Sequence, residues 1–100
     1  MIGKNSSGPV TASGVVMNSP GYYYGFTLIT GGEDRLFRAW DSPTHVAGTL
    51  VENFVCDGTK PADGHDHGGV PVYCASGLYV GVPPGAIATV FFYQFPTQKP

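Results

Sequence analysis

Apolar side chains in this chain recur mostly at every second position, in short runs closed by Gly, Pro or Asp. No stretch of eleven or more residues carries apolar side chains at i, i+3, i+4 and i+7 without a Gly or Pro interrupting it, so helices are not expected. A weak first strand is predicted over residues 10–17, broken by Gly14, and a strong one over 22–30. In the strong strand, alternation puts Tyr22, Tyr24, Phe26 and Leu28 on one face and Tyr23, Gly25, Thr27 and Ile29 on the other. Gly31-Gly32-Glu33-Asp34 supplies a turn, and residues 35–40 form the next strand, ended by Asp41-Ser42-Pro43. Residues 49–56 follow as a strand with Leu50, Phe54 and Cys56 on one side and Val51 and Val55 on the other. A polar loop is expected over 57–69, then short strands over 70–75 and 78–82. Pro83-Pro84-Gly85 forces a turn, because proline lacks the N–H a ladder needs. Residues 87–95 close the fold with its most β-prone run.

Seven to eight short strands with turn signals between them predict an all-β antiparallel sandwich, jelly-roll-like, with a closed barrel as the competing architecture. The expected organisation is an extended arm over 1–8, one sandwich domain over 9–95 and a tail over 96–100. Gly (15) and Pro (9) make up nearly a quarter of the 100 residues, which suits many tight turns.

Charge changes the picture. Asp, Glu, Lys and Arg are only 12% of the chain, about half the usual share. None occurs from residue 5 to 32 or from 67 to 98. Depletion of charge is a mark of interface cores, so the uncharged wings are expected to be covered by neighbouring subunits. The alternative is a wet surface of Ser, Thr, Gly and Tyr. The net charge of −2 and the absence of a basic run argue against nucleic acid, and no apolar run is long enough to cross a membrane as a helix. The first nine residues lack the apolar stretch of a signal peptide, so synthesis in a cytoplasm is expected.

Ligand-type residues cluster once, in Asp63-Gly64-His65-Asp66-His67-Gly68-Gly69. With the flanking thiols, Cys56, His65, His67 and Cys74 form a candidate zinc set, since zinc accepts thiolates and imidazoles tetrahedrally. The spacing is not that of a short Cys knuckle, and His65 and His67 would face opposite ways on an extended strand. A solvated hairpin tip or a histidine pH response are the alternatives, and no other cofactor is expected. Cys56 and Cys74 read as buried thiols or as a pair facing across adjacent strands. Adjacent Glu33 and Asp34 sit in a turn and not on a shared cleft wall; no nucleophile elbow or phosphate loop is present, so no enzyme is expected.

Residues 25–32, 37–42, 47–50, 74–82 and 88–93 resemble segments of short bacteriophage virion proteins. In these, a "Gly-Leu-Tyr-Val" strand, here Gly77-Leu78-Tyr79-Val80, precedes a final "Ala-Thr-Val-x-x-Tyr" strand, here Ala88 to Tyr93. The resemblance implies a capsid decoration (cement) protein located on the virion surface, or else a carbohydrate- or receptor-binding module of a fibre or tail. Its expected partners are the major capsid protein and copies of itself, as a dimer or trimer. Ile2, Pro9, Tyr22, Tyr24, Phe95 and Pro96 are the expected interface residues.

Overall fold

A computed structural model describes residues 5–45 and 48–96 of the chain. Within these residues there is no helix, and nine strands form two antiparallel sheets. The strands are β1 (Asn5–Ser6), β2 (Gly14–Met17), β3 (Gly21–Ile29), β4 (Arg35–Asp41) and β5 (Thr49–Cys56), followed by β6 (Asp63–Asp66), β7 (Val72–Cys74), β8 (Leu78–Gly81) and β9 (Ile87–Gln94). One sheet runs β1-β9-β3-β6, with β7 also paired to β3; the other runs β2-β8-β4-β5. Only the β4–β5 and β6–β7 connections stay within a sheet, so the chain stitches the two layers together. The architecture is a β-sandwich, as the alternation predicts.

The core is the apolar set that faces inward from both sheets. Tyr23, Phe26, Leu28, Ala88 and Val90 from one layer meet Met17, Phe37, Ala39, Cys56, Leu78 and Val80 from the other. At its centre Phe26 stacks on Phe37 across the layers, with ring centroids 3.9 Å apart and an 11° interplanar angle. Phe54 meets the Phe26 ring edge-on at 5.7 Å. The connections are held by Asp side chains. The Asp41 carboxylate accepts N–H bonds from Ala75, Ser76 and Gly77 at 2.9, 2.8 and 3.2 Å, fixing the turn between β7 and β8.

Two bulges change the predicted faces. Along β9, Tyr23 pairs with Phe92 and Gly25 with Phe91, so Tyr24 is an extra residue on β3. The side-chain phase inverts there: Tyr23 points inward before the bulge, Phe26 and Leu28 after it. Tyr22 and Tyr24 are therefore not on the face of Phe26 and Leu28. Likewise Ala39 pairs with Glu52 and Trp40 with Leu50, so Val51 is extra on β5. Val51 then packs on the core and Leu50 is 44% exposed, the reverse of the expected sides. The expected loop over 57–69 also contains a strand: β6 docks on β3, pairing His65 with Phe26 and Gly64 with Thr27. Trp40 is buried, but on the outer face of its sheet, beside Tyr79 and beneath the Arg38 guanidinium, 5.2 Å above its ring.

Of the expected arm, Asn5 and Ser6 pair with β9, and Ser7 continues the contact through its N–H to the Val90 carbonyl. Ile2, with the rest of residues 1–4, and residues 97–100 of the tail lie outside the described residues.

Because Phe37 is fully buried and stacked between the layers, Phe37→Ala should lower unfolding free energy by about 3–5 kcal/mol. Urea titration of the two proteins measures the difference.

Candidate functional site

The edge strands β5 and β6 belong to different sheets and run close to each other along one open side of the sandwich. Glu52 points inward from β5, its side chain 6% exposed. A buried carboxylate is costly unless it is paired. Here three groups converge on it. The Tyr23 hydroxyl donates to Oε1 at 2.8 Å, His67 Nε2 lies 3.0 Å from the same oxygen, and His65 Nδ1 lies 3.1 Å from Oε2. The imidazole centroids are 4.0 Å apart.

Local chain geometry explains why both histidines reach one point. An extended His-x-His segment would send the rings apart, but β6 stops at Asp66. Asp66 Oδ1 accepts the Gly68 N–H at 2.7 Å, making an Asx turn, while the His67 N–H donates to the Tyr24 carbonyl. That carbonyl belongs to the bulge residue. Gly25 follows it at a φ of 133°, and a Cβ there would meet the His65 carbonyl oxygen at 2.2 Å. Glycine is thus required for β6 to approach β3 this closely. The loop leading into β6 is braced as well: Asp63 Oδ2 accepts the Asp57 N–H, and Asp34 Oδ1 accepts the Gly58 N–H.

Burial alone would raise the Glu52 carboxyl, but the hydrogen bonds from His65, His67 and Tyr23 outweigh it, and the group titrates below its ordinary value of 4.5. Burial, then the neighbouring Glu52 carboxylate, pushes the Tyr23 phenol upward. Burial similarly raises the thiols, Cys56 to about 11 and Cys74 to about 12, so both stay protonated at neutral pH.

Of the expected set of Cys56, His65, His67 and Cys74, the structure brings together only the two histidines. The histidines come together, but among the described residues their third ligand-type neighbour is Glu52, and all three ligand atoms lie within 4.8 Å of one another. The cysteines are free and buried, on β5 of one sheet and β7 of the other, not on adjacent strands. Glu33 pairs with Arg35 at 2.9 Å and Asp34 caps Gly58, so the two acids do not share a cleft wall.

A second feature lies on the outer face of the five-stranded sheet. Tyr73, Tyr22 and Tyr93 stand opposite one another on β7, β3 and β9, forming a row across three strands. Phe95 packs edge-on against Tyr22 at 5.1 Å, and Tyr24 does so at 6.4 Å. Of the expected interface residues, Tyr22, Tyr24 and Phe95 thus share one half-buried cluster, while Pro9 and Pro96 are exposed. Neither protein-family models, nor curated proteins, nor solved structures show a significant match to this chain.

Since the folded carboxyl of Glu52 titrates below the unfolded value, the group stabilises the fold above about pH 4.5, and that contribution is lost as pH falls through the folded value. Without added metal, the melting temperature should fall on acidification below about pH 4.5, and Glu52→Gln should flatten this part of the profile. At pH 7 the same substitution should cost about 1–3 kcal/mol, because one acceptor is replaced by a donor facing other donors. Thermal melts across pH check both.

Proposed function

We propose that this protein is a structural binding module, a bacteriophage capsid decoration (cement) protein that docks through the aromatic face of its five-stranded sheet. The observation that carries the reading is the composition of that face. Strands β1, β9, β3 and β7 contain no Asp, Glu, Lys or Arg at all. Outward they present the tyrosine row, with Phe95 just beyond β9 packed against it, and exposed Ile29 and Ile87; Tyr73 is 56% exposed. Interfaces favour aromatic residues and shed charge from their centres, and tyrosine contributes a large contact area with few rotatable bonds. The resemblance of residues 74–82 and 88–93 to phage virion proteins directs the reading to a capsid. The partners are then the major capsid protein and further copies of this chain. Binding only the assembled shell would add the docking free energy to the cost of taking the shell apart.

A second reading, a carbohydrate- or receptor-binding module, draws on the same aromatic rings. The ring geometry favours it less. Tyr22 meets Tyr24, Tyr73 and Phe95 at 67° to 86°, and only Tyr73 and Phe95 lie near-parallel, at 24°, so the cluster as a whole is not a coplanar platform for a sugar.

Co-sedimentation with empty shells of the virus that encodes the chain tests the first reading, using wild type and Tyr73→Asp. The expected result is binding by wild type and at least about a tenfold loss in the variant, since a buried unpaired charge is placed in the contact. Equal binding by both would remove this face from the interface. Hits on a glycan array, with no shell binding, would transfer the protein to the second reading.

A further inference from the structure

We propose that Glu52, His65 and His67 form a binding site for one divalent transition-metal ion of the zinc class, clipping the two sheets together along their open edge. The inference is independent of the docking face, which lies on another part of the molecule.

The donor set comes first. Two neutral imidazoles and one carboxylate are a ligand set that zinc and its neighbours in the first transition row accept, with a further position left to water or another donor. The geometry follows. Ligands about 2.1 Å from a tetrahedral zinc stand about 3.4 Å from one another. Glu52 Oε2 to His65 Nδ1 is 3.1 Å, Glu52 Oε1 to His67 Nε2 is 3.0 Å, and one donor atom from each of the three residues lies within 4.8 Å of the others, near the spacing an ion requires. The electrostatics agree. A carboxylate with 6% exposure carries a charge in a poorly solvated place, and a dication offsets it more fully than two imidazoles that must each hold a proton on the nitrogen facing it.

The surroundings are those of a held site. Tyr23 fixes one carboxylate oxygen from the opposite sheet, the role that outer hydrogen-bond partners play around metal ligands. The Asx turn at Asp66 and the His67 N–H bond to the Tyr24 carbonyl fix the second histidine. His65 is 45% exposed, which gives an ion a path in and leaves one coordination position toward solvent. Because Glu52 belongs to one sheet and both histidines to the segment paired with the other, an ion here cross-links the layers at an edge where the Glu52 hydrogen bonds and the stacking of Phe54 on His65 already join them.

The test is cobalt titration of the full chain followed by visible absorption, with melting temperature measured in zinc, magnesium or EDTA. One equivalent of cobalt should produce a saturable d–d band. Zinc should raise the melting temperature above its EDTA value, and magnesium should not. His65→Ala, at the exposed ligand, should abolish the band while leaving the far-ultraviolet circular dichroism unchanged. Tyr23→Phe should weaken binding about 10-fold. The double variant Cys56→Ser and Cys74→Ser should bind as wild type does. The proposal is overturned by the absence of a band and of any zinc-dependent stabilisation, by undiminished binding in folded His65→Ala, or by loss of binding in a cysteine variant whose far-ultraviolet circular dichroism matches wild type.

Discussion

The extra residue at Tyr24 is the constraint on which both surfaces of interest depend. A strand that alternated without interruption from Gly21 to Ile29 would have to choose: either Tyr23 or the pair Phe26 and Leu28 would face the core, not all three. The bulge removes that choice by inverting the phase between them. Tyr23 then enters the core far enough for its hydroxyl to reach Glu52, Phe26 can stack on Phe37, and Tyr22 is turned outward into the aromatic row. The same irregularity frees the Tyr24 carbonyl to accept the His67 N–H, and Gly25 lets β6 approach. One inserted residue therefore orients a core, an outer face and a polar cluster at once.

Edge strands are the weak points of a sandwich, since they present unpaired N–H and C=O groups to any passing strand. Here β5 and β6 are the edges of their respective sheets on the same side. The chain covers that side with its most polar segment. Asp57, Asp63 and Asp66 each cap a backbone N–H in the loop or turn around β6, and Glu52 draws both histidines across the gap. Glu52 and the acidic stretch from Asp57 to Asp66 are thus folded onto one flank, and β1, β9, β3 and β7 are left to build an uncharged broad face.

Most of the strands were legible in the sequence, because short alternating runs between Gly, Pro and Asp admit few other structures. Residues 49–56 were delimited correctly to the residue. What was not legible is where alternation breaks. Neither the bulge in β3 nor the one in β5 has a local composition that marks it; Gly25 is the only hint at these two, and glycine in a strand equally signals a plain weakening. Missing the bulges reversed the sides assigned to Tyr22, Tyr24, Leu50 and Val51. The strand β6 escaped notice because Asp-Gly-His-Asp has little β propensity and is held by its pairing with β3, a tertiary effect.

The site was half visible for a related reason. His65 and His67 stood out by type, and the thiols were drawn in because sequence proximity was the only available guide to a partner. Yet Glu52 lies between Leu50 and Phe54, in phase with Phe54 and with Cys56, which reads as a buried thiol. An acid at an inward position of an apolar strand is itself a signal, since burying it demands a partner of opposite or hydrogen-bonding character. Few residues outside β5 could meet that demand: the chain holds five Lys and Arg and three His, and Lys60 and Arg35 are engaged elsewhere. A carboxylate that must be buried and two histidines with no stated purpose are complementary problems, and the fold solves each with the other.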